Sequence, residues 1–298
     1  MSITSGFDIA FLGHYTKDTI VLANQVKTVD GGAVIYGANV AARIGLRTAV
    51  ITRMARQDFR VLDELHRIGV QTFARETSQS TMLRLVYPTS NLDERVIYVT
   101  GFAEPFSTDE LSGVEASTFH VAASVRGEVP NQIVQLLKER AERISLDVQG
   151  FVRINSNGKL VSDSWRDKQE VLRCVNVVKV DLAEAAIITG TRDKHEAAKA
   201  LAAMGPDEVV LTSSEGVLVY ANGHSYEAPF LPTELKGRSG RGDTCIAAYL
   251  SKRATALPSE ATIWAAAVTS LKLENEGPFR REMREVRELI KSKYQVRS

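Results

Sequence analysis

Three glycines fall within six positions near the C-terminal end of the chain, in Gly237-Arg238-Ser239-Gly240-Arg241-Gly242-Asp243-Thr244. Glycine admits positive φ and lets main-chain N–H groups approach a ligand closely. Asp243 and Thr244 then open a helix over CIAAYLSKRA, whose N-terminus supplies free N–H donors and partial positive charge. Such a turn suits a phosphate or a developing anion. Its spacing is that of a P-loop, G-x-x-x-x-G, but Asp243 stands where the lysine belongs, and a carboxylate there repels the phosphates that a lysine clamps. A carboxylate beside an anion turn instead suits a base that takes the proton of a hydroxyl attacking a phosphoryl group. Arg241 is a cation at a helix start, where the dipole disfavours it slightly, so a charge-assisted contact to phosphate is its expected role. Two other readings use the same residues. Asp243 could be only a helix N-cap, and Arg241-Gly242-Asp243 spells the tripeptide of integrin ligands. Exposure separates these, because adhesion needs a protruding loop and phosphoryl transfer needs the turn tucked against a sheet.

The elements that must position this turn read as alternating strands and helices. Asp8 to Gly13 is an apolar run ending in a Gly-His turn, and Gly31-Gly32 open a helix of small residues closed by Gly45. A β-rich run, Thr48 to Ile51, and a helix, Phe59 to Ile68, follow. Later strands are expected at Thr118 to Ala122, Ile144 to Val148, Val175 to Val180 and Val209 to Thr212, with helices centred near Leu136, Leu172 and Ala200. A hairpin over Val217 to Tyr220 and His224 to Glu227 precedes three final helices, Thr244 to Ala256, Ser259 to Leu273 and Arg281 to Tyr294. This alternation predicts an α/β fold, a mostly parallel central sheet with helices on both faces. Two segments break it. Thr19 to Val29 reads as one loosely alternating strand, and Thr81 to Tyr87 with Arg95 to Thr100 as a hairpin about Ser90-Asn91-Leu92-Asp93. They predict a small antiparallel β lid from segments of about 15–30 and 80–101, appended to a single domain over 1–298.

Composition narrows the partners. The chain has 298 residues and a formal net charge of +1, so no global field attracts nucleic acid or an anionic membrane. Cys174 and Cys245 are its two cysteines, too few for a disulfide framework and in keeping with a reducing cytoplasm. The first residues lack the basic region of a signal peptide, and no apolar run is long enough to span a bilayer.

With these residues set out, the sequence resembles the ribokinase/PfkB carbohydrate kinase family. The family's glycine-rich turn matches Gly240, Arg241, Gly242 and Asp243, and its early Gly-Gly signature matches Gly31-Gly32 with the helix to Gly45, in the family's order and separation. The resemblance implies a ribokinase-like fold in which Asp243 is the base and the N–H groups of the turn offset charge on the transferring group. It implies that Asp18, in Gly13-His14-Tyr15-Thr16-Lys17-Asp18, binds substrate hydroxyls, and that Asp181-Leu182-Ala183-Glu184 stands for an N-x-x-E motif whose glutamate meets Mg²⁺ through water. Thr212 to Gly216 and Gly277 fall where nucleotide-binding turns are expected. ATP and Mg²⁺ are thus the implied cofactors, a small polyol or sugar the implied partner, and a monomer or a homodimer through the lid the implied assembly.

The departures bear on the substrate. Tyr36 stands where sugar kinases of the family carry a sugar-contacting asparagine, Asp181 replaces the asparagine of N-x-x-E, and Arg241 replaces a common alanine. Together with Asp147-Val148-Gln149-Gly150-Phe151-Val152-Arg153 and Gly277-Pro278-Phe279-Arg280-Arg281-Glu282, the turn resembles a narrower branch that includes bacterial myo-inositol kinases. An inositol presents only hydroxyls, which Asp18, Asp147, Gln149 and Arg153 could read by hydrogen bonds. The expectation is an ATP-dependent kinase of a small polyol, myo-inositol favoured. The alternatives are a kinase of another sugar, sugar phosphate or nucleoside, and a sensor of the same fold without turnover.

Overall fold

The computed structural model describes residues 6–22, 25–89 and 95–294. Nine strands form the main sheet: β1 Phe7–Leu12, β4 Thr48–Ala55, β5 Gln71–Thr77, β8 Ala116–Val121, β9 Arg143–Asp147, β12 Val177–Asp181, β13 Glu208–Thr212, β14 Gly216–Ala221 and β15 His224–Pro229. Six build a second sheet: β2 Thr16–Leu22, β3 Gln25–Gly31, β6 Thr81–Tyr87, β7 Val96–Gly101, β10 Arg153–Ser156 and β11 Lys159–Ser162.

The main sheet runs β15-β14-β13-β12-β9-β8-β1-β4-β5. The seven strands from β13 to β5 are parallel, and β14 and β15 continue antiparallel. Strands covered on both faces read as unbroken apolar runs, and every residue of β4 is buried. Alternate residues of β1 serve opposite layers. Ile9 and Phe11 meet the core built on helices Ala33–Ile44, Arg241–Arg253 and Pro258–Leu273. Ala10 and Leu12 meet the core under helices Asn131–Arg140 and Lys194–Ala202. Gly37 lets the first of these helices lie close on β1, since a Cβ there would stand 2.4 Å from the Phe11 ring.

Strand order reverses beside β1, because the chain steps from β1 to β4 and β5 and then returns to β8 on the other side. Open sheets of this kind bind ligands beyond the carboxyl ends of the strands at such a switch point.

The second sheet departs from the expected lid in two ways. Its order is β10-β11-β7-β6-β2-β3, so residues 153–162 add a hairpin to a lid that was expected from segments of about 15–30 and 80–101 alone. β2 and β6 pair in parallel while the other neighbours are antiparallel, so the layer is mixed. The expected single strand from Thr19 to Val29 is the centre of a hairpin, registered from Thr16 opposite Gly31 to Leu22 opposite Gln25. The loose alternation of the sequence is the same on both sides of the Leu22–Gln25 pair, which is why alternation did not mark the reversal. The expected Ser90–Asp93 turn lies outside the described residues. Lys17 to Asp58 at 2.8 Å and Tyr15 Oη to Asp30 at 2.5 Å tie the base of this layer to the body. No described helix is long and apolar enough to cross a membrane.

Candidate active site

A cleft opens between the two sheets, at the carboxyl ends of adjacent parallel strands. Thr16 and Asp18 follow β1, Ser124 follows β8, Gln149 follows β9, and Lys179, Asp181 and Thr212 end β12 and β13. The glycine-rich turn, Arg238 to Asp243, closes one side, and Leu83, Leu85, Ile97 and Leu160 of the second sheet roof it. The floor is polar, and the four apolar roof residues are joined by Arg95 and Asp18 from the same sheet.

The turn ends in Gly240, the N-cap of helix Arg241–Arg253, in the left-handed region at φ 76°. A side chain is doubly excluded there, because a Cβ would stand 2.1 Å from the Tyr36 ring. Asp243 is therefore the third residue of the helix and not its cap, which removes the capping reading. Gly242 lies against β12, where a Cβ would come within 2.9 Å of Lys179 Nζ. The tripeptide Arg241-Gly242-Asp243 is thus tucked against the sheet, contrary to the protruding loop that adhesion needs.

Burial raises the Asp243 carboxyl above the usual aspartate range, while the charges of Lys179, Arg153 and Lys272 pull it back. A raised carboxyl at the start of a helix has the basicity that proton abstraction from an alcohol calls for.

Two buried carboxylates below the cleft hold two cations in place. Asp147, fully buried, lies 2.9 Å from Lys179 Nζ and accepts the N–H of Gln149 at 3.0 Å. Glu184 accepts from Arg153 Nη2 at 2.7 Å. The other Glu184 oxygen accepts the N–H of Asp181, whose own carboxylate accepts the N–H of Glu184, a reciprocal cap on helix Leu182–Thr189. Asp147 holds the Lys179 ammonium above its usual range despite burial. Lys179 and Arg153 are therefore fixed charges facing the cleft, arranged before any anion arrives.

Several expectations need correction. Asp147 does not line the cleft: one oxygen accepts the Gln149 N–H and the other is ion-paired with Lys179. Each Glu184 oxygen accepts one hydrogen bond, from Arg153 and from the Asp181 N–H, so this side chain anchors Arg153 and caps its own helix besides any water-mediated contact. No group of three His, Cys, Asp or Glu side chains among the described residues could hold a metal ion by itself, whereas a Mg²⁺ that arrives with a phosphate donor takes most of its ligands from phosphate oxygens and water. Gly216 belongs to a tight turn in which the Ser213 hydroxyl accepts the N–H groups of Glu215 and Gly216. Gly277 borders a neighbouring apolar cavity. Of the five expected cofactor-binding residues, Asp181, Glu184, Thr212, Gly216 and Gly277, it is Asp181 and Thr212 that line the cleft.

The remaining expected residues converge. Asp18 faces the turn from the second sheet, and its Oδ1 is buried with no hydrogen-bond partner among the described residues. Burial lifts its carboxyl to about 6, with Thr16 and Arg95 opposing and Asp243 assisting. Gly31 makes room for it, since a Cβ there would meet Asp18 Oδ2 at 2.9 Å. Gly32, at φ 101°, caps helix Ala33–Ile44 and lines the cleft with Gln149, Arg153 and Tyr36. Tyr36 is buried beneath Gly240 and borders the cleft, so its ring supports the turn, a contact changed in kind from that of the family's asparagine.

Lys179 is the site residue that reading the sequence missed. A signal for it existed: one lysine inside the apolar run Val177-Val178-Lys179-Val180. A charged side chain inside a buried strand demands a partner.

The pattern of the pfkB family carbohydrate kinases matches residues 6–280. Among solved structures, a pyrophosphate-dependent kinase in the ribokinase family, complexed with a pyrophosphate analogue and myo-inositol, is 34% identical, with a TM-score of 0.87, covering 95% of this chain and 100% of that one. A variant of a pyrophosphate-dependent myo-inositol-1 kinase converted into a myo-inositol-3 kinase is 33% identical at TM-score 0.87, covering 96% and 99%. The cytidine kinase of Thermococcus kodakarensis is 27% identical over 266 residues, 85% of this chain and 91% of that protein. Ribokinase of Arabidopsis thaliana, complexed with ribose and ATP, shares the fold at TM-score 0.75 and 18% identity, covering 96% and 99%. A glycine-rich turn carrying Asp243 at the carboxyl ends of a ribokinase-like sheet and a family match across most of the chain lead to one assignment: this protein belongs to the pfkB family of carbohydrate kinases, phosphotransferases with an alcohol group as acceptor.

Proposed function

We propose that this chain transfers a phosphoryl group to a hydroxyl of a small polyol, with myo-inositol the favoured acceptor and inorganic pyrophosphate the favoured donor. The observation that carries the reading is Asp243 in the first turn of its helix, beside Lys179 and across the cleft from the unpartnered oxygen of Asp18. Asp18 accepts hydrogen bonds from the acceptor's hydroxyls, and the apolar roof covers its C–H face. Asp243 takes the proton of the attacking hydroxyl as that oxygen forms its bond to phosphorus. Lys179, Arg153 and the main-chain N–H groups at the helix start stabilise the charge that collects on the transferring and leaving groups.

The donor departs from the sequence expectation of ATP. On the turn side the cleft is lined by charged and small polar groups such as Lys179, Asp181, Thr212 and Arg241, which suit a compact phosphoanhydride. The relatives at 33–35% identity are described as pyrophosphate-dependent. ATP with Mg²⁺ remains the competing donor. A nucleoside acceptor is the second reading for the substrate. It is favoured by the cytidine kinase similarity and by the apolar cavity of Ile20, Leu22, Val29, Tyr36 and Tyr87 that adjoins the cleft.

Product release measured with pyrophosphate or MgATP against inositols, hexoses, pentoses and cytidine tests the proposal. Turnover of myo-inositol with pyrophosphate is the expected result. Turnover with ATP alone overturns the donor, and a preference for cytidine overturns the acceptor.

Asp18 adds a pH prediction. Its carboxylate accepts hydroxyl hydrogen bonds fully only when ionised, so acceptor KM should rise as pH falls through about 6. Asp18→Ala should raise that KM about 10- to 100-fold, the value of a hydrogen bond to a charged group, and should flatten the pH dependence. An unchanged KM removes Asp18 from the acceptor site.

A further inference from the structure

Lys272 lies in the last turn of helix Pro258–Leu273 and is 1% exposed. Its Nζ donates to the carbonyl of Gly237 at 2.6 Å and to that of Ser239. The ammonium also lies 5.5 Å from the centroid of the Tyr36 ring, close enough for a cation–π contact. That same ring lies against Gly240. One buried cation thus joins two carbonyls of the glycine-rich turn to the aromatic ring on which the turn rests.

Burying a charge is costly, and an apolar side chain would fill this space at less expense. Burial pushes the Lys272 ammonium down to about 8, with Asp243 and Glu276 pulling it up and Arg241 adding to the depression. A lysine kept here against that cost has a use beyond packing, and peptide geometry indicates what it is. In a planar trans peptide the C=O and the following N–H point in opposite directions. Drawing the carbonyls of Gly237 and Ser239 onto Lys272 therefore turns the N–H groups of Arg238 and Gly240 away from it. Lys272 does not line the phosphate cleft, whereas Arg238, Ser239 and Gly240 do. The ammonium sits behind the turn.

We infer that Lys272 is a positioning residue for phosphoryl transfer: a built-in monovalent cation, ligated by main-chain carbonyls and a ring face, that holds the glycine-rich turn in its anion-binding shape. The inference rests on the kinase reading for its catalytic consequence, though not for the cation site itself. Two carbonyl oxygens and an aromatic face form a site that an ammonium or potassium ion from solution can occupy once the side chain is removed. While Lys272 is present, the site is filled and the enzyme needs no such ion.

Lys272→Ala is expected to lower kcat by about 10²-fold, the scale of losing one oriented donor of a preorganised anion site. Ammonium, methylammonium or potassium chloride should then restore tenfold or more of that loss, a partial rescue on the same scale, and tetramethylammonium should restore none. Thermal unfolding reads the site without turnover: the variant's Tm should rise in ammonium relative to tetramethylammonium, and the native protein's should not. Native-like kcat in the variant, or a loss that no small cation reverses, overturns the inference. Should the variant fail to fold, the native enzyme decides, because full activity is expected in buffer whose only monovalent cation is tetramethylammonium, and a requirement for potassium there overturns it. An absence of turnover in the native protein with every donor and acceptor counts against the kinase reading, and the unfolding measurement still decides the cation site.

Discussion

Asp243→Asn is expected to abolish most turnover while leaving substrate binding and folding intact. Asparagine has the same shape and keeps its place in the first turn of helix Arg241–Arg253, but it cannot take a proton. General-base catalysis contributes about 10²–10⁴-fold, so kcat should fall by at least the lower figure. KM for the acceptor and affinity for the donor should change little, because the contacts assigned to Asp18, Lys179 and Arg153 survive. Thermal stability should hold or improve, since burial disfavours the ionised carboxyl that the substitution removes. The pH profile gives an independent readout. A base works when deprotonated, so native kcat should fall as pH drops through the Asp243 pKa, which burial places above the usual aspartate range. The variant should lack that limb. Turnover close to native would assign proton removal to another group.

Lys179→Met should have the second large effect, on stability and donor binding together. Lys179 and Asp147 are 5% and 0% exposed and lie 2.9 Å apart. Removing the lysine leaves Asp147 buried without its counter-charge, at a cost on the order of 3–5 kcal/mol. The variant can reduce that cost by protonating Asp147 in the folded state. The folded protein then binds a proton that the unfolded chain, with an ordinary aspartate, has released, so stability declines as pH rises. The deficit in Tm should accordingly widen from about pH 4, near the unfolded aspartate pKa, towards neutrality. A second substitution, Asp147→Asn, should recover most of the stability and remove the pH slope. It should not recover donor affinity, because no cation then stands beside Gly242. Recovery of both in the double variant would make the pair structural only.

The fold was largely legible because its signals are local. Unbroken apolar runs such as Thr48 to Ile51 mark strands buried on both faces, and Gly45, with φ 103°, ends its helix as a glycine in that region does. The lid was less legible. Alternation along Thr19 to Val29 carries no mark of a tight reversal, and Arg153 to Ser162 gave no hint that it would pair with β7, since strand partners are chosen by contacts distant in sequence.

Within the site, Asp243, Gly240 and Gly242 could be read from spacing, because a glycine turn before a helix makes an anion site by itself. Asp18 needs the family resemblance, and Lys179 is marked in the sequence by nothing more than a charge inside an apolar run. Asp147 and Glu184 could be named from the sequence but not assigned. Whether a carboxylate meets a substrate, a metal or a neighbouring cation depends on what the next strand or helix places within 3 Å of it. The sequence by itself determined the groups available: a carboxylate at a helix start, a glycine turn before it, and an alternation that builds a parallel sheet. Only the tertiary structure decided which charges stand together, because Lys179 with Asp147 and Arg153 with Glu184 are separated by 32 and 31 residues along the chain and meet through the pairing of β9 with β12 and the turn of Arg153 back over the strand ends.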